Sequence, residues 1–393
     1  MINQKLIEQE FSHLNEIVFL DVSSVVIPPK SVQEAYFGYT RDYIANFGED
    51  VVSTSWALVH QTRADVASLI GADASEIGFV KNTAEGIGII ANGYPFQAGD
   101  NVIIPDLEHS SNLFAWIRLQ EKGVDLRVVP SQHGGVDLTQ ITPFIDRRTK
   151  AIVLSAVQFT TGFYSDLYEL GAFCSQQGIL LIVDGIQAIG RLHLDVKAMN
   201  ISYLACGGNK GLLATLGAGF VYCQSDITEQ ITPPYASYQS VRNHVKPPAI
   251  TTNFRYLDWH IDARKLESGN LNYAGIAAIG AGVRLINQLG IQNIEQHVLS
   301  LDRRLRSALA TTSLRIQTPV DPKHHSGIIC IDYPQAQEEH VIEILKGKRI
   351  YATMRGGYIR FGLHAYNTET HIQTVVSALE EINALNSDSH TTP

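Results

Sequence analysis

"ILLIVDGIQAIG" (Ile179–Gly190) and "YLACGGNKGLLATLGAGFVYC" (Tyr203–Cys223) decide the fold. Each begins as a short apolar run of strand length and passes into a glycine-rich turn. The second places Lys210 between glycines and more apolar sequence, with no acidic residue from Tyr203 to Cys223. A surface lysine ordinarily sits among polar neighbours, so a cation just after a buried strand needs a reason. Outward from this pair the pattern repeats. "DNVIIP" (100–105), "DLRVVP" (125–130) and "TKAIVLSAV" (149–157) read as strands, and "SSNLFAWIRLQEKG" (110–123) and "DLYELGAFCSQQG" (166–178) as helices ended by glycine. Near-continuous β-branched runs separated by helices predict an α/β domain whose mostly parallel sheet is buried on both faces.

A chain of 393 residues and 43.3 kDa is too long for one core of usual size, which predicts two domains. The last third reads differently. "NYAGIAAIGAGVRLINQLG" (272–290) is a small-residue helix leading into a second unit. There "LRIQTP", "GIICIDY", "IYATM" and "YIRFGL" read as strands, and "QEEHVIEILKG" and "TETHIQTVVSALEEINAL" as helices. The expected division is a large α/β domain over residues 16–275 and a small α+β domain from 1–15 and 276–393, with a disordered tail from 386 to 393.

The bulk composition excludes several partners. A net charge of −9 and a pI near 5.9 argue against nucleic acid, and no apolar run reaches the ~18 residues that would cross a bilayer. The N-terminus, "MINQKLIEQEFSHLNE", is polar and acidic and resembles neither a signal nor a transit peptide, so cytoplasmic residence is expected. Cys174, Cys206, Cys223 and Cys330 lie far apart in apolar segments without CxxC spacing, and read as buried small hydrophobes. The adjacent His324 and His325 in "DPKHHSG" lack metal-site spacing and read as loop. No metal is expected.

One motif points to a dinucleotide. Gly86-Ile-Gly88-Ile-Ile-Ala91 fits G-x-G-x-x-G/A, and Asp106 follows twenty residues after Gly86. In a dinucleotide fold, however, those glycines form the turn at the strand's end. Here Lys81 to Glu85 intervene, placing both glycines inside a helix that starts at Thr83. What remains is a helix N-terminus after a strand, suited to one phosphate.

Asp184 ends a predicted strand, at the carboxyl edge where open α/β sheets place their ligands, and Lys210 follows at the end of another. An acid and a lysine at neighbouring strand ends, beside a phosphate-capable helix start, outline a pyridoxal phosphate (PLP) site. The lysine condenses with the aldehyde, and an apolar setting favours its neutral amine. The carboxylate keeps the pyridine nitrogen protonated, so the ring draws electrons. Taken singly, Asp184 could equally cap a turn and Lys210 sit in a solvated loop.

Together, "VDGIQAIG…LDV…YLACGGNKGLL…GAGFVY" resembles the class V aminotransferase family of fold-type I PLP enzymes, which includes cysteine desulfurases, cysteine/cystine lyases and isopenicillin N epimerase-like proteins. The likeness extends from "FLDVSSVVIPP" to "HAYNTETHI". It implies a seven-stranded, mostly parallel sheet and a homodimer with shared active sites. By resemblance, Lys210 binds the cofactor aldehyde, Asp184 faces the pyridine nitrogen and Gln187 the phenolic oxygen. "DLEHSSNLFAW" makes His109 the ring-stacking residue, able to assist proton transfer. "KNTAEGI" is similar to the phosphate loop, so Thr83 and the Ala84 amide hold phosphate. Asn270, in "ARKLESGNLN", would reach the neighbouring subunit's phosphate. "YIRFGLHAYNT" makes Arg360 the fork on the substrate α-carboxylate.

Departures from the family pattern bear on the reaction. The usual S-G-H-K reads "GGNK", putting Gly207 and Asn209 where serine and histidine stand near the phosphate. "SAVQFTTGF" offers Gln158 and Phe159 in place of an asparagine and a histidine. "IYATMRGGYIRFGL" runs straight from strand to strand, without the cysteine-bearing loop of desulfurases. The expectation is therefore a PLP-dependent C–S lyase acting on cysteine, cystine or an S-substituted cysteine. The alternatives are an isopenicillin N epimerase-like epimerase or an aminotransferase, with a cysteine desulfurase, a dinucleotide oxidoreductase and a PLP-fold binding protein behind them.

Overall fold

A computed structural model describes residues 2–46, 49–242, 256–310 and 312–388. Its strands are β1 (Val18–Phe19), β2 (Ile77–Val80), β3 (Asn101–Pro105), β4 (Asp125–Val129), β5 (Thr149–Ser155), β6 (Leu180–Asp184), β7 (Tyr203–Gly207), β8 (Gly219–Cys223), β9 (Ile328–Asp332), β10 (Ile350–Tyr351), β11 (Thr353–Arg355) and β12 (Tyr358–Gly362). Seven of them form one sheet in the order β2-β8-β7-β6-β5-β3-β4, in which only β8 runs against its neighbours. Since β2 is antiparallel to β8, and β8 to β7, β2 points the same way as β3, β5, β6 and β7. With β4 parallel to β3, the carboxyl ends of six strands therefore share one edge.

The expected α/β architecture and its reason both hold. Every residue of β2, β3, β6, β7 and β8 is buried, and only the edge strand β4 is largely accessible. Ile103, Ile152, Leu181 and Val183 face one apolar layer, and Val102, Ile104, Val153 and Ile182 the other. Helices cover both faces, as parallel crossovers require.

The dinucleotide motif is not a turn. Gly86 and Gly88 lie inside the helix Thr83–Gly93, and a Cβ on Gly86 would stand 2.7 Å from Val221 Cγ1 and 2.8 Å from Ala205 Cβ. That glycine lets helix and sheet approach closely. The small-residue helix Tyr273–Leu289 does the same below the Lys210 loop, where a Cβ on Gly282 would meet the Leu212 carbonyl oxygen at 2.2 Å.

The C-terminal part departs from expectation in three places. "LRIQTP" makes a single bridge, Ile316 to Ile331, because only Gln317 N and Arg315 O engage β9, and Pro319 offers no N–H to extend the ladder. "IYATM" is split. β10 pairs in parallel with β1, whereas β11 turns into a hairpin with β12, so one run serves two sheets. The helix Glu369–Asp388 continues through the first residues of the expected disordered tail, since extending an existing helix costs far less than starting one; residues 389–393 lie outside those described. β9, β12 and β11 complete a three-stranded antiparallel sheet. Among the described residues no single helix is long and apolar enough to cross a membrane.

Candidate active site

The shared edge gathers the predicted residues. After β2, Asn82 caps the helix Thr83–Gly93 by accepting from Glu85 N at 2.9 Å. The first amides of that helix, at Thr83 and Ala84, have no intrahelical acceptor. Thr83 is buried, and its Oγ1 accepts from Gly207 N at 3.1 Å, leaving the hydroxyl proton to donate elsewhere. A Cβ on Gly207 would lie 3.0 Å from Ile186 Cδ1, 3.2 Å from Asn209 Oδ1 and 3.6 Å from Thr83 Oγ1. Thr83, Gly207 and Asn209 thus surround one small space that a larger residue at 207 would invade.

After β3, His109 caps the helix Ser110–Leu119, its Nδ1 accepting from Ser111 N at 3.1 Å. Its ring meets Phe159 edge-on, with centroids 4.9 Å apart. Burial and then the positive charges of Lys210, Arg355 and Arg360 lower the His109 pKa, so the imidazole is neutral at pH 7.

Asp184 closes β6, opposite Ser155 of β5 and Ala205 of β7. It is 3% exposed and accepts from Ile186 N at 2.9 Å. Burial pushes its pKa up to about 6, opposed by that bond and by Lys210. Gln187 is buried too. Its Nε2 donates to Ser23 O at 2.9 Å, and Oε1 has no partner. Lys210 is half-buried just past β7, and burial brings its ammonium down to about 8, with Asp184 pulling the other way and Arg360 and Arg191 adding to the decrease. The lysine of the opening stretch is thus placed so that a usable share of its amine is neutral near physiological pH.

Arg360 reaches the same place from the middle of β12. Its Nη1 donates to Phe159 O at 2.7 Å and its Nη2 to Ser24 Oγ at 2.5 Å, while Nε is buried without a partner. Gln158 follows β5, with Nε2 donating to Glu108 at 2.8 Å. Asn270 stands apart. It is exposed and accepts from the Tyr238 hydroxyl, in a recess with Lys81 and Glu85 rather than beside Lys210.

Several contributors were not singled out from sequence. Residues 21–29 cross the site, where Ser23 O takes the Gln187 amide, Ser24 Oγ takes Arg360, and Val26 N donates to Asn209 O at 3.1 Å. A turn and irregular stretch with no periodicity of its own carried no signal for those bonds. His364 is wholly buried and bonds the Gly211 carbonyl at 2.9 Å, pinning the residue after Lys210. Arg191, 1% exposed, donates to the carbonyls of Leu363, Gln187 and Ser326 at 2.8–2.9 Å and so ties the Gln187 turn to β12's exit and to the loop before β9. Arg355 lies over the Phe159 ring, 5.6 Å from its centroid. The Gly356-Gly357 turn beside it was a legible hairpin signal.

The polar groups gathered here fit the cofactor that the sequence outlined. Asp184 offers an acid for a ring nitrogen, Gln187 an unused amide oxygen, and Thr83 with the helix start a phosphate cradle.

Comparison with known proteins agrees. The family model for class V aminotransferases matches residues 18–375. A probable cysteine desulfurase of Methanothermobacter thermautotrophicus is 30% identical over 397 residues, covering 96% of this chain and 97% of that relative. Among solved structures, an apo cysteine desulfurase from Thermococcus onnurineus superposes with a TM-score of 0.87 at 24% identity, covering 98% of each chain. A cystine C–S lyase solved with its product cysteine persulfide gives 0.85 at 21% identity, covering 95% of this chain and all of that one. With the family model spanning nearly its whole length, the chain belongs to the class V aminotransferases and is a PLP-dependent enzyme.

Proposed function

We propose that this enzyme is a C–S lyase that cleaves cysteine, cystine or an S-substituted cysteine by β-elimination, without a protein thiol as sulfur acceptor. The carrying observation is the state of its cysteines. All four are buried, and the β11–β12 hairpin holds Arg355, Gly356 and Gly357 where a sulfur-accepting cysteine would have to stand. Cys330, the one nearest Arg360 in the β9–β12 ladder, donates its Sγ proton to Thr160 O at 2.9 Å, and burial pushes its thiol up to about 12. A thiol so held supplies almost no thiolate.

PLP bound at this edge supplies an aldehyde that condenses with amines and a protonated ring that withdraws electrons from the substrate's Cα. The residues then divide the work. Lys210 would hold the cofactor through its aldehyde, and its free Nζ would take the Cα proton, which a pKa of about 8 permits near neutrality. Asp184 stays anionic against the ring nitrogen, Gln187 faces the phenolic oxygen and His109 covers the ring. Thr83, the Ala84 amide, Gly207 and Asn209 hold the phosphate. Arg360 grips the α-carboxylate, with Nε as an unused donor in its fork, and Gln158 lies beside it. Asn270, displaced from this chain's own lysine, serves the second subunit of a homodimer. The proton that Lys210 takes from Cα can reach the leaving sulfur through His109, whose neutral ring accepts one proton before it gives one.

The test is to mix the holoenzyme with each substrate and assay keto acid, ammonia and sulfur product together. Keto acid and ammonia in equal amounts support elimination. Alanine with a protein-bound persulfide would establish a desulfurase instead. Solvent deuterium at Cα without keto acid would establish an epimerase.

A further inference from the structure

Glu108, immediately before His109, is a buried carboxylate with four donors. Its Oε1 accepts from Ser155 N and Gln158 Nε2, both at 2.8 Å, and its Oε2 from Ser155 Oγ at 2.6 Å and Asn112 Nδ2 at 2.9 Å. A carboxylate can only accept. Both amides must therefore turn their NH2 ends toward it, and both their oxygens, Gln158 Oε1 and Asn112 Oδ1, are left buried without a partner in the protein. Gln158 is 3% exposed and stands one residue from Phe159, whose carbonyl accepts from Arg360. As the site stands, the amide end turned away from Glu108 is an acceptor, the wrong polarity for a substrate carboxylate.

A protonated Glu108 has one O–H to donate. Donated to Gln158 Oε1, it replaces the present Nε2–H bond and lets the amide turn over, so that its NH2 takes the buried place Oε1 holds now. From this we infer that Glu108 is a positioning residue that sets which end of the Gln158 amide faces the substrate, so that binding an anionic carboxylate beside Arg360 takes up one proton at Glu108. The inference rests on the carboxylate site proposed above. The proton comes from solvent, and no other bond is made or broken. The surroundings keep this proton within physiological reach. Burial and the negative charge of Asp184, on β6, raise the Glu108 pKa to about 7 against the bonds from Ser155 and Asn112. Ser155, Gln158 and Asn112 are neutral, and His109, next in the chain, is held uncharged.

The experiment is isothermal calorimetry of the holoenzyme with 3-mercaptopropionate, a carboxylate lacking the amino group that would react with the cofactor. It is run from pH 6 to 8 in two buffers of different ionisation enthalpy. For one obligatory proton and a midpoint near 7, the dissociation constant rises about tenfold across that range, with uptake approaching one proton at pH 8. Glu108→Gln, whose amide donates at every pH, should bind with less than about a twofold change and lose that proton. Gln158→Met should lose the same proton even if Glu108→Gln folds poorly. Unchanged proton uptake in either variant overturns the coupling. Arg360→Met reads the underlying site separately, because binding that survives it, or no binding to the wild type at any pH, refutes the carboxylate site itself.

Discussion

Replacing Glu267 by alanine tests how the chain holds β2 and the start of the helix Thr83–Gly93 in place. Glu267 and Arg63 form an ion pair at 2.8 Å with side chains only 2% and 5% exposed. The same carboxylate accepts from Phe79 N at 3.0 Å, and Arg63 also donates to Ile77 O. The pair therefore clamps both ends of the stretch Ile77–Phe79 in β2, the strand that delivers Asn82 and Thr83. The alanine removes both bonds and strands a guanidinium in the core, and breaking one side of such a pair costs about 3–5 kcal/mol. Replacing both residues by methionine keeps the volume without an unpaired charge, so the double variant should be at least about 2 kcal/mol more stable than either single one. Urea unfolding followed by circular dichroism at constant slope reads this directly. Single-variant costs below about 1 kcal/mol, or a double variant as damaged as the sum, would refute the clamp.

The other predictions concern chemistry. Cys330→Ser should keep keto acid release within about twofold of wild type, because a thiol held near 12 contributes little thiolate; loss of turnover with appearance of alanine would speak for a sulfur relay. Lys210→Ala should lose the borohydride-fixed cofactor and at least about a hundredfold in turnover, and full activity with a fixed cofactor would refute the assignment. Burial lowers the folded-state pKa of Lys210 to about 8, so its reactive neutral form gains population as pH rises through that value. Uptake of PLP by the apoenzyme should accelerate up to about pH 8 and level off, whereas a climb continuing toward 10 would mean an ordinary lysine. Arg360→Lys should raise KM more than it lowers kcat, by about tenfold, since a point charge replaces a fork.

How much of this was legible depends on where a residue takes its instructions. Asp184 and Lys210 could be found because each follows an apolar run whose strand identity needs no partner, and the strand-end rule then places them at one edge. Thr83 was equally readable as a helix start, and the distance from "GFV" to Gly86 correctly denied a dinucleotide turn. β11 and "LRIQTP" were harder. Whether a short apolar stretch pairs depends on which strand already lies beside it, and residues 350–355 divide between β1 and β12 for that reason alone.

The substrate side of the site follows a different logic. Ser24, Phe159 and the pair Arg355 and Arg360 come from three separated segments and meet only because the N-terminal crossing and the β11–β12 hairpin close over the edge that β5 and β6 build. No local pattern foretells such a meeting, so Asp184 and Lys210 could be read from spacing, whereas Arg360 was reached through the family resemblance alone. The same division explains Glu108. In "DLEHSSN" it resembles a helix-start charge, and only its four donors, drawn from β5, the turn after it and one helix, point to a hold on the polarity of Gln158. A carboxylate in that position has more partners than Asp184 and less solvent than most surface acids. Its protonation is thus set by the packing of neighbours that themselves bound the substrate pocket, which places substrate charge and Glu108 charge in one equilibrium.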